Sequence, residues 1–97
     1  MLTGKQKRYL RSLGSVQEPV LQIGKGGINE NSVVQAQEAL EARELIKVRV
    51  LNNCLDEPAD AAAALALKSG AEVVQVIGRN FLLFKRAEKK PKIELPE

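Results

Sequence analysis

The sequence contains no histidine and no tryptophan, and its aromatic residues are one tyrosine and two phenylalanines. Without histidine, the chain lacks the usual general base near neutral pH and the imidazole of many metal sites. With so few aromatic rings, it offers almost no platform on which unpaired bases could stack. Composition therefore argues against a histidine-based enzyme or metal site, and against single-strand binding by stacked bases.

Cysteine is nearly absent as well, since Cys54 is the one thiol. An internal disulfide is excluded, which fits a reducing compartment, and Cys54 is typical of a small buried residue at a strand end. No apolar run is long enough to span a bilayer, and basic residues interrupt the N-terminus where a signal peptide would need its hydrophobic core. We therefore expect a cytoplasmic protein, with a basic transit peptide as a minor alternative.

The charge is divided into blocks along the chain. Residues 1–27 carry five basic side chains and one acidic, residues 28–78 carry four basic and eight acidic, and residues 79–92 carry six basic and one acidic. Such segregation predicts a basic surface that faces an anionic partner. The alternative is that both basic blocks are ordinary solvated faces.

One short stretch, Gly24-Lys25-Gly26-Gly27, stands between an apolar extended run and a segment with helical spacing. It has two interpretations, a tight turn that needs glycine for steric reasons and a loop that contacts phosphate. Free amides and the positive end of the following helix could bind a phosphate, and Lys25 would add a mobile charge. The spacing also fits the G-x-x-G loop that clamps a nucleic-acid backbone in KH domains.

Enzymatic candidates are weak. The glycine stretch lacks the spacing and the hydroxyl residue of a Walker A loop, and it does not fit G-x-G-x-x-G. The acidic group Asp56, Glu57 and Asp60 stands at a predicted helix start, where capping explains it better than metal binding. We expect no catalytic residues, no metal, no cofactor and no small-molecule substrate.

Hydrophobic periodicity predicts an α/β domain with the element order α-β-α-β-α-β-β. The predicted helices run from an N-cap at Thr3 to about Leu13, from an N-cap at Asn29 to about Glu44, and from Asp56 or Glu57 to Gly70. The predicted strands cover residues 19–23, 45–51, 73–77 and 81–86. They would form a four-stranded mixed sheet packed with helices. Residues 88–97 are expected to be a polar, mobile tail outside a domain of residues 1–87.

Four stretches together resemble the CRM domain (chloroplast RNA splicing and ribosome maturation) in its stand-alone bacterial form. They are residues 2–11 (LTGKQKRYLR), 24–27 (GKGG), 41–48 (EARELIKV) and 75–79 (QVIGR). The resemblance extends over residues 1–86. It implies a fold similar to the C-terminal domain of translation initiation factor three, and association with precursors of the large ribosomal subunit.

The leading interpretation is a monomeric RNA-binding protein that assists ribosome assembly and has no membrane partner. The expected RNA-binding residues are Gly24, Lys25, Gly26, Gly27, Lys5, Lys7, Arg8, Arg11, Arg79, Lys85 and Arg86. Lys47 and Arg49 would join them if their strand face is open. Two alternatives remain, a double-stranded DNA-binding protein and a protein-interaction adaptor that uses the acidic second helix.

Overall fold

A computed structural model describes residues 2–97 as three helices and four strands in the predicted order. The helices are α1 (Gly4–Gly14), α2 (Glu30–Arg43) and α3 (Pro58–Ser69). The strands are β1 (Leu21–Ile23), β2 (Leu45–Val50), β3 (Glu72–Ile77) and β4 (Asn80–Phe84). None of the helices within residues 2–97 is long and apolar enough to cross a membrane.

The strands form one mixed sheet in the order β1-β2-β4-β3. The edge strand β1 runs parallel to β2, with Ile23 opposite Val50, while β4 runs antiparallel to both β2 and β3. The predicted α/β fold is thus confirmed, including its one parallel pair and the closing hairpin. We call the edge of the sheet that holds Ile23, Val50 and Asn80 the loop end, because the glycine stretch follows Ile23.

The core is divided between the two faces of the sheet. Helices α2 and α3 cover one face, where Leu40, Ile46, Leu65 and Phe81 are buried in a cluster that also contains Cys54. Helix α1 covers part of the other face through Leu10, which is fully buried against Leu45, Val74, Leu82 and Phe84. Since residues alternate between faces along a strand, Lys47 and Arg49 lie on the α1 side of the sheet, as their spacing predicts.

Local capping signals determine where the first two helices begin. The Thr3 side chain accepts the Gln6 amide and the Gln6 side chain accepts the Thr3 amide. Asn29 and Ser32 form the same reciprocal pair at the start of α2. Both predicted N-caps are therefore confirmed. The start of α3 differs, because Glu57 occupies the N-cap position without a side-chain cap bond and Pro58 follows it.

Gly14 ends α1 as predicted, but for a different reason. Its φ is not positive, and the capping residue is Ser15 in a right-handed conformation. A Cβ at Gly14 would stand 2.5 Å from Leu82 Cδ1 and 2.8 Å from Leu82 Cδ2. Glycine is thus required because the helix end approaches β4 closely, and not because of a left-handed turn.

Glu44, between α2 and β2, is fully buried and has a φ of 67°. Its carboxylate accepts the backbone amides of Ala87 at 2.8 Å, Lys92 at 2.6 Å and Ile93 at 2.7 Å. Burial raises the pKa of this carboxyl, but the three amides and the charge of Arg86 outweigh it, so the pKa is lowered overall.

The segment that follows β4 lies along the domain. Ile93 and Leu95 pack against the smaller core cluster under α1, and the Glu41 carboxylate accepts the Glu88 and Lys89 amides. The mobility expected of residues 88–97 stays a prediction. The contacts at Glu41 and Glu44 give it a specific physical test.

Candidate nucleic-acid interface

The glycine stretch, residues 24–27, forms a tight turn between β1 and the start of α2. The Gly27 amide donates to the Gly24 carbonyl at 3.0 Å, and Gly27 has a φ of 65°. That conformation is rarely adopted by residues with a side chain. Within residues 2–97, the amides of Lys25 and Gly26 donate no hydrogen bond to another group of the protein. The steric and the phosphate-binding interpretations are therefore compatible, since the turn that needs glycine also leaves two amides free.

A polar cleft of about 180 Å³ opens beside this loop. Its lining consists of Gln22, Gly24, Gly26, Gly27, Asn29, Asn31, Ser32 and Gln35. It thus joins the loop to the first turn of α2, where helix amides and the helix dipole favour an anion. Lys25 is exposed and does not belong to the lining, so its charge is available next to the cleft.

An acidic side chain also lies against the loop. Asp56 Oδ2 is 3.2 Å from the position that a Cβ on Gly27 would occupy. A carboxylate there opposes the binding of an anion by Coulomb repulsion, which weakens as the distance increases. The loop therefore offers an anion site on its Gly26 and α2 side more readily than on its Gly27 and Asp56 side.

Arg79, a predicted RNA-binding residue, is held at the loop end. Its Nε donates to the Val50 carbonyl at 2.9 Å and its Nη2 donates to the Leu51 carbonyl at 2.9 Å. The Leu51 amide in turn donates to the carbonyl of Ile23, the residue just before the loop. Arg79 therefore lies close to the glycine loop as expected, but part of its guanidinium is engaged in holding the ends of two strands together.

The strand face that carries Lys47 and Arg49 is partly open. Helix α1 covers the face at Leu45 and Leu82, while Lys47 is half-buried and Arg49 is exposed. Arg49 is in register with Gln22 on one side and with Asn80 on the other. The condition under which these two residues would join the interface is met for Arg49 and partly met for Lys47.

Helix α1 runs along the sheet toward the loop end. The Leu2 amide, just before the helix, donates to Glu72 at the far end of the sheet, whereas Gly14 and Ser15 line a cleft with Asn80. Arg11 in the last turn is accordingly nearer the loop end than Lys5. Arg8 and Arg11 are exposed, as is Lys5, while Lys7 is half-buried.

Lys85 and Arg86 lie at the opposite end of the sheet. They follow Phe84, the last residue of β4, and line a shallow cleft with Leu2 and Gln6. Six positions of extended chain separate Lys85 from Arg79, which is roughly 20 Å. The structure therefore does not bring these two residues to the glycine loop, and the charge of Arg86 acts on Glu44 instead.

Several polar residues near the loop were not predicted as site residues. Gln22 points away from the core between buried Leu21 and Ile23, and Asn31 and Gln35 lie on the first turns of α2 beside the loop. The alternation of β1 could have indicated Gln22. The sequence carries no local signal for Gln35, because its position depends on how α2 meets the loop.

Known proteins share this arrangement over almost the whole chain. The chain is 52% identical over 96 residues to the "Probable RNA-binding protein YqeI" of Bacillus subtilis, a match that covers 99% of this chain and 100% of that protein. It is 33% identical over 95 residues to a protein of Haemophilus influenzae named "RNA-binding protein", covering 98% of this chain and 95% of the relative.

A solved structure agrees in fold as well as in sequence. It is the solution structure of the hypothetical protein SAV1595 from Staphylococcus aureus, described as a candidate RNA-binding protein. The match has a TM-score of 0.83 and 51% identity, and it covers 99% of this chain and 100% of the other. The profile of the CRS1 / YhbY (CRM) domain matches residues 2–85. The chain therefore belongs to the CRS1 / YhbY (CRM) domain family.

Proposed function

We propose that this protein binds structured RNA through its glycine loop and the basic residues at the loop end of the sheet. The observation that carries the proposal is the joining of the loop to the start of α2 in one polar cleft, with Lys25 exposed beside it. Arg79 and Arg49 continue the positive charge across the sheet, and Arg8 and Arg11 continue it on α1. The names of the relatives support RNA as the ligand.

Recognition would depend mainly on the RNA backbone and its shape. Phosphate oxygens accept hydrogen bonds from loop amides and from lysine or arginine without regard to sequence. The near absence of aromatic side chains disfavours successive base stacking as the main mode of binding. The protein would act as a monomeric, non-enzymatic binding module in the cytoplasm, for which the free, buried thiol of Cys54 is suitable.

We infer further that its RNA is ribosomal and that it assists assembly of the large ribosomal subunit. This inference extends what the family resemblance implies. It predicts that the tagged protein sediments with precursors of the large subunit from growing cells, and that ribonuclease releases it. An adaptor that uses the acidic α2 would keep its protein partner after ribonuclease, and that result would contradict the proposal.

The direct test is the salt dependence of RNA binding. The triple variant Arg8→Gln, Arg11→Gln, Lys25→Gln should bind a ribosomal RNA hairpin more weakly at every salt concentration. The slope of log K against log salt should flatten by about 0.7 for each single-strand phosphate contact that is lost. An unchanged affinity and slope would show that these residues do not form the interface.

A matched control removes the same charge elsewhere. Arg43, Lys68 and Lys90 are exposed, and their triple replacement by glutamine lowers the net charge by the same amount. This variant should keep most of the slope of the parent protein. If both triple variants lose equal affinity, net charge alone drives binding and the mapped surface is wrong.

Double-stranded DNA is the remaining competitor as a ligand. It offers the same phosphates, but DNA readout needs a helix with base-reading side chains in the major groove. The exposed face of α1 carries mainly lysine and arginine. Competition between a DNA duplex and a structured RNA of equal length should therefore favour the RNA.

A further inference from the structure

A second cleft, of about 230 Å³, lies on the α1 side of the sheet near the loop end. Its lining consists of Gly14, Ser15, Lys47, Gln75, Ile77, Asn80, Phe81 and Leu82. Apolar side chains form its floor and polar ones stand around them. Pockets for drug-sized molecules span about 300–1,000 Å³, so this cleft suits a smaller, ring-sized group.

One polar atom of the cleft has no partner. Asn80 Oδ1 is enclosed by the protein, yet among residues 2–97 no group donates a hydrogen bond to it. An enclosed amide oxygen without a donor costs about 1–3 kcal/mol, so such atoms are rare in folded proteins. Asn80 Oδ1 therefore indicates a ligand that brings an N–H or O–H donor into the cleft.

The polar side chains beside Asn80 suit a flat, hydrogen-bonding ring. Gln75 follows an irregularity of β3, where the register shifts between Val73 and Gln75. Bulges of this kind redirect side chains and often lie next to functional sites. Gln75 presents an amide with donors and an acceptor, and Lys47 presents three donors for ring nitrogens or carbonyl oxygens.

The position of the cleft relates it to the proposed RNA surface. Asn80 is in register with the exposed Arg49, and Ser15 stands just after the α1 turn that contains Arg11. A backbone that crosses from Arg49 to Arg11 would therefore pass the mouth of the cleft. An unpaired nucleotide along that path could turn its base inward.

We propose that this cleft binds one unpaired nucleobase, whose ring packs against Leu82 and Ile77 and whose N–H donates to Asn80 Oδ1. The proposal rests on the proposed RNA binding and adds a site that reads a single base to a surface that otherwise recognises backbone. Sequence-specific RNA recognition depends on unpaired bases in this way, because the edges of paired bases are poorly accessible in A-form helices.

The first test uses the full chain and a set of hairpin RNAs with one bulged position, occupied by A, C, G, U or an abasic ribose. At least one base should bind 10-fold or more tightly than the abasic RNA. Asn80→Ala and Ile77→Ala should reduce that ratio toward 1. Val76→Ala is the matched control, since Val76 is the neighbouring exposed residue of β3 and does not line the cleft.

The outcomes separate this inference from the proposed function. Tight RNA binding with an equal affinity for all four bases and the abasic RNA overturns the base site and leaves RNA binding intact. A base preference that Asn80→Ala leaves unchanged overturns the assignment of the cleft. Lys25→Gln should weaken all the hairpins alike and preserve the ratio.

A second measurement does not need RNA binding. In an NMR titration of the labelled full chain with free nucleosides at millimolar concentration, the side-chain amide signals of Asn80 and Gln75 should shift. Ribose 5-phosphate, which has no base, should leave them in place. If no nucleoside shifts either amide, the cleft holds only water and the inference is wrong, whatever the result with RNA.

Discussion

The carboxylate of Glu44 accepts the backbone amide of Ile93 at 2.7 Å, and so connects the end of α2 to the C-terminal segment. Two further amides, of Ala87 and Lys92, donate to the same carboxylate. Glu44 is fully buried, and its positive φ is costly for a residue with a side chain. The hydrogen bonds compensate for a charge and a backbone conformation that would otherwise be unfavourable.

Replacing Glu44 by glutamine should destabilise the domain at neutral pH by roughly 1–3 kcal/mol, because amide donors would lose a charged acceptor. The effect should depend on pH. The folded pKa of Glu44 is lowered, so its stabilisation is complete above the ordinary carboxyl pKa of about 4.3 and is lost as pH falls through the folded value. Urea denaturation of both proteins at several pH values should show their stability difference shrinking below about pH 4.3. A difference that stays constant down to pH 2 would contradict this assignment.

The C-terminal segment provides a separate prediction. The amides of Lys92 and Ile93 donate to buried Glu44, whereas Glu94 is exposed. Hydrogen exchange of the Lys92 and Ile93 amides should therefore be slower than that of Glu94, and Glu44→Gln should accelerate it. A mobile tail, as the composition predicts, would instead show all three amides exchanging at the rate of an unfolded chain.

Gly14 should not tolerate a methyl group. Because an added Cβ would stand 2.5 Å from Leu82 Cδ1, Gly14→Ala should lower the free energy of unfolding by about 1–3 kcal/mol. Gly4→Ala is the matched control, since nothing lies within 4 Å of its added Cβ and it belongs to the same helix. The control should be neutral or slightly stabilising by helix propensity. Equal losses in the two variants, measured by urea unfolding, would rule out the steric explanation.

The glycine loop offers a pair of variants that separates folding from binding. Gly27→Ala should cost about 1–2 kcal/mol of stability, because an alanine would have to adopt the left-handed conformation beside Asp56. Gly26→Ala should fold normally, since its Cβ would be 3.5 Å from the nearest atom, Asn29 Nδ2. If RNA approaches the Gly26 amide, that variant should nevertheless bind RNA more weakly. Full RNA affinity in Gly26→Ala would place the backbone contact elsewhere.

Arg79 is expected to contribute to stability as well as to any RNA contact. Arg79→Lys keeps the charge but loses the fork that reaches the Val50 and Leu51 carbonyls together. Thermal unfolding should show a loss of about 1–3 kcal/mol, while the salt dependence of RNA binding should change little. A variant as stable as the parent would mean that these two bonds are not needed at the loop end.

Much of the fold could be predicted, because the signals are local. Alternation placed Lys47 and Arg49 on one side of β2, and the side chains of Thr3 and Asn29 indicated where α1 and α2 begin. The glycine loop was identified from its composition and its strand-to-helix setting. The fourth strand, by contrast, ends at Phe84, two residues before its predicted end.

The candidate site was predictable only where it follows the chain. The loop and α1 are continuous segments, so their glycines and basic residues could be named in advance. Arg79 was correctly expected near the loop, but its bonds to Val50 and Leu51 depend on the register of β2. Lys85, grouped with Arg79 by sequence, lies at the other end of the sheet, because a strand carries its two ends apart.

By itself, then, the sequence determined the elements, their order and the charge of each segment, since side-chain periodicity and capping act over a few residues. Only the tertiary structure decided which of those segments meet. The buried carboxylate of Glu44, the close approach of Gly14 to Leu82 and the unpartnered oxygen of Asn80 all arise between distant parts of the chain. The packing of the sheet and helices creates these contacts, and no short sequence pattern specifies them.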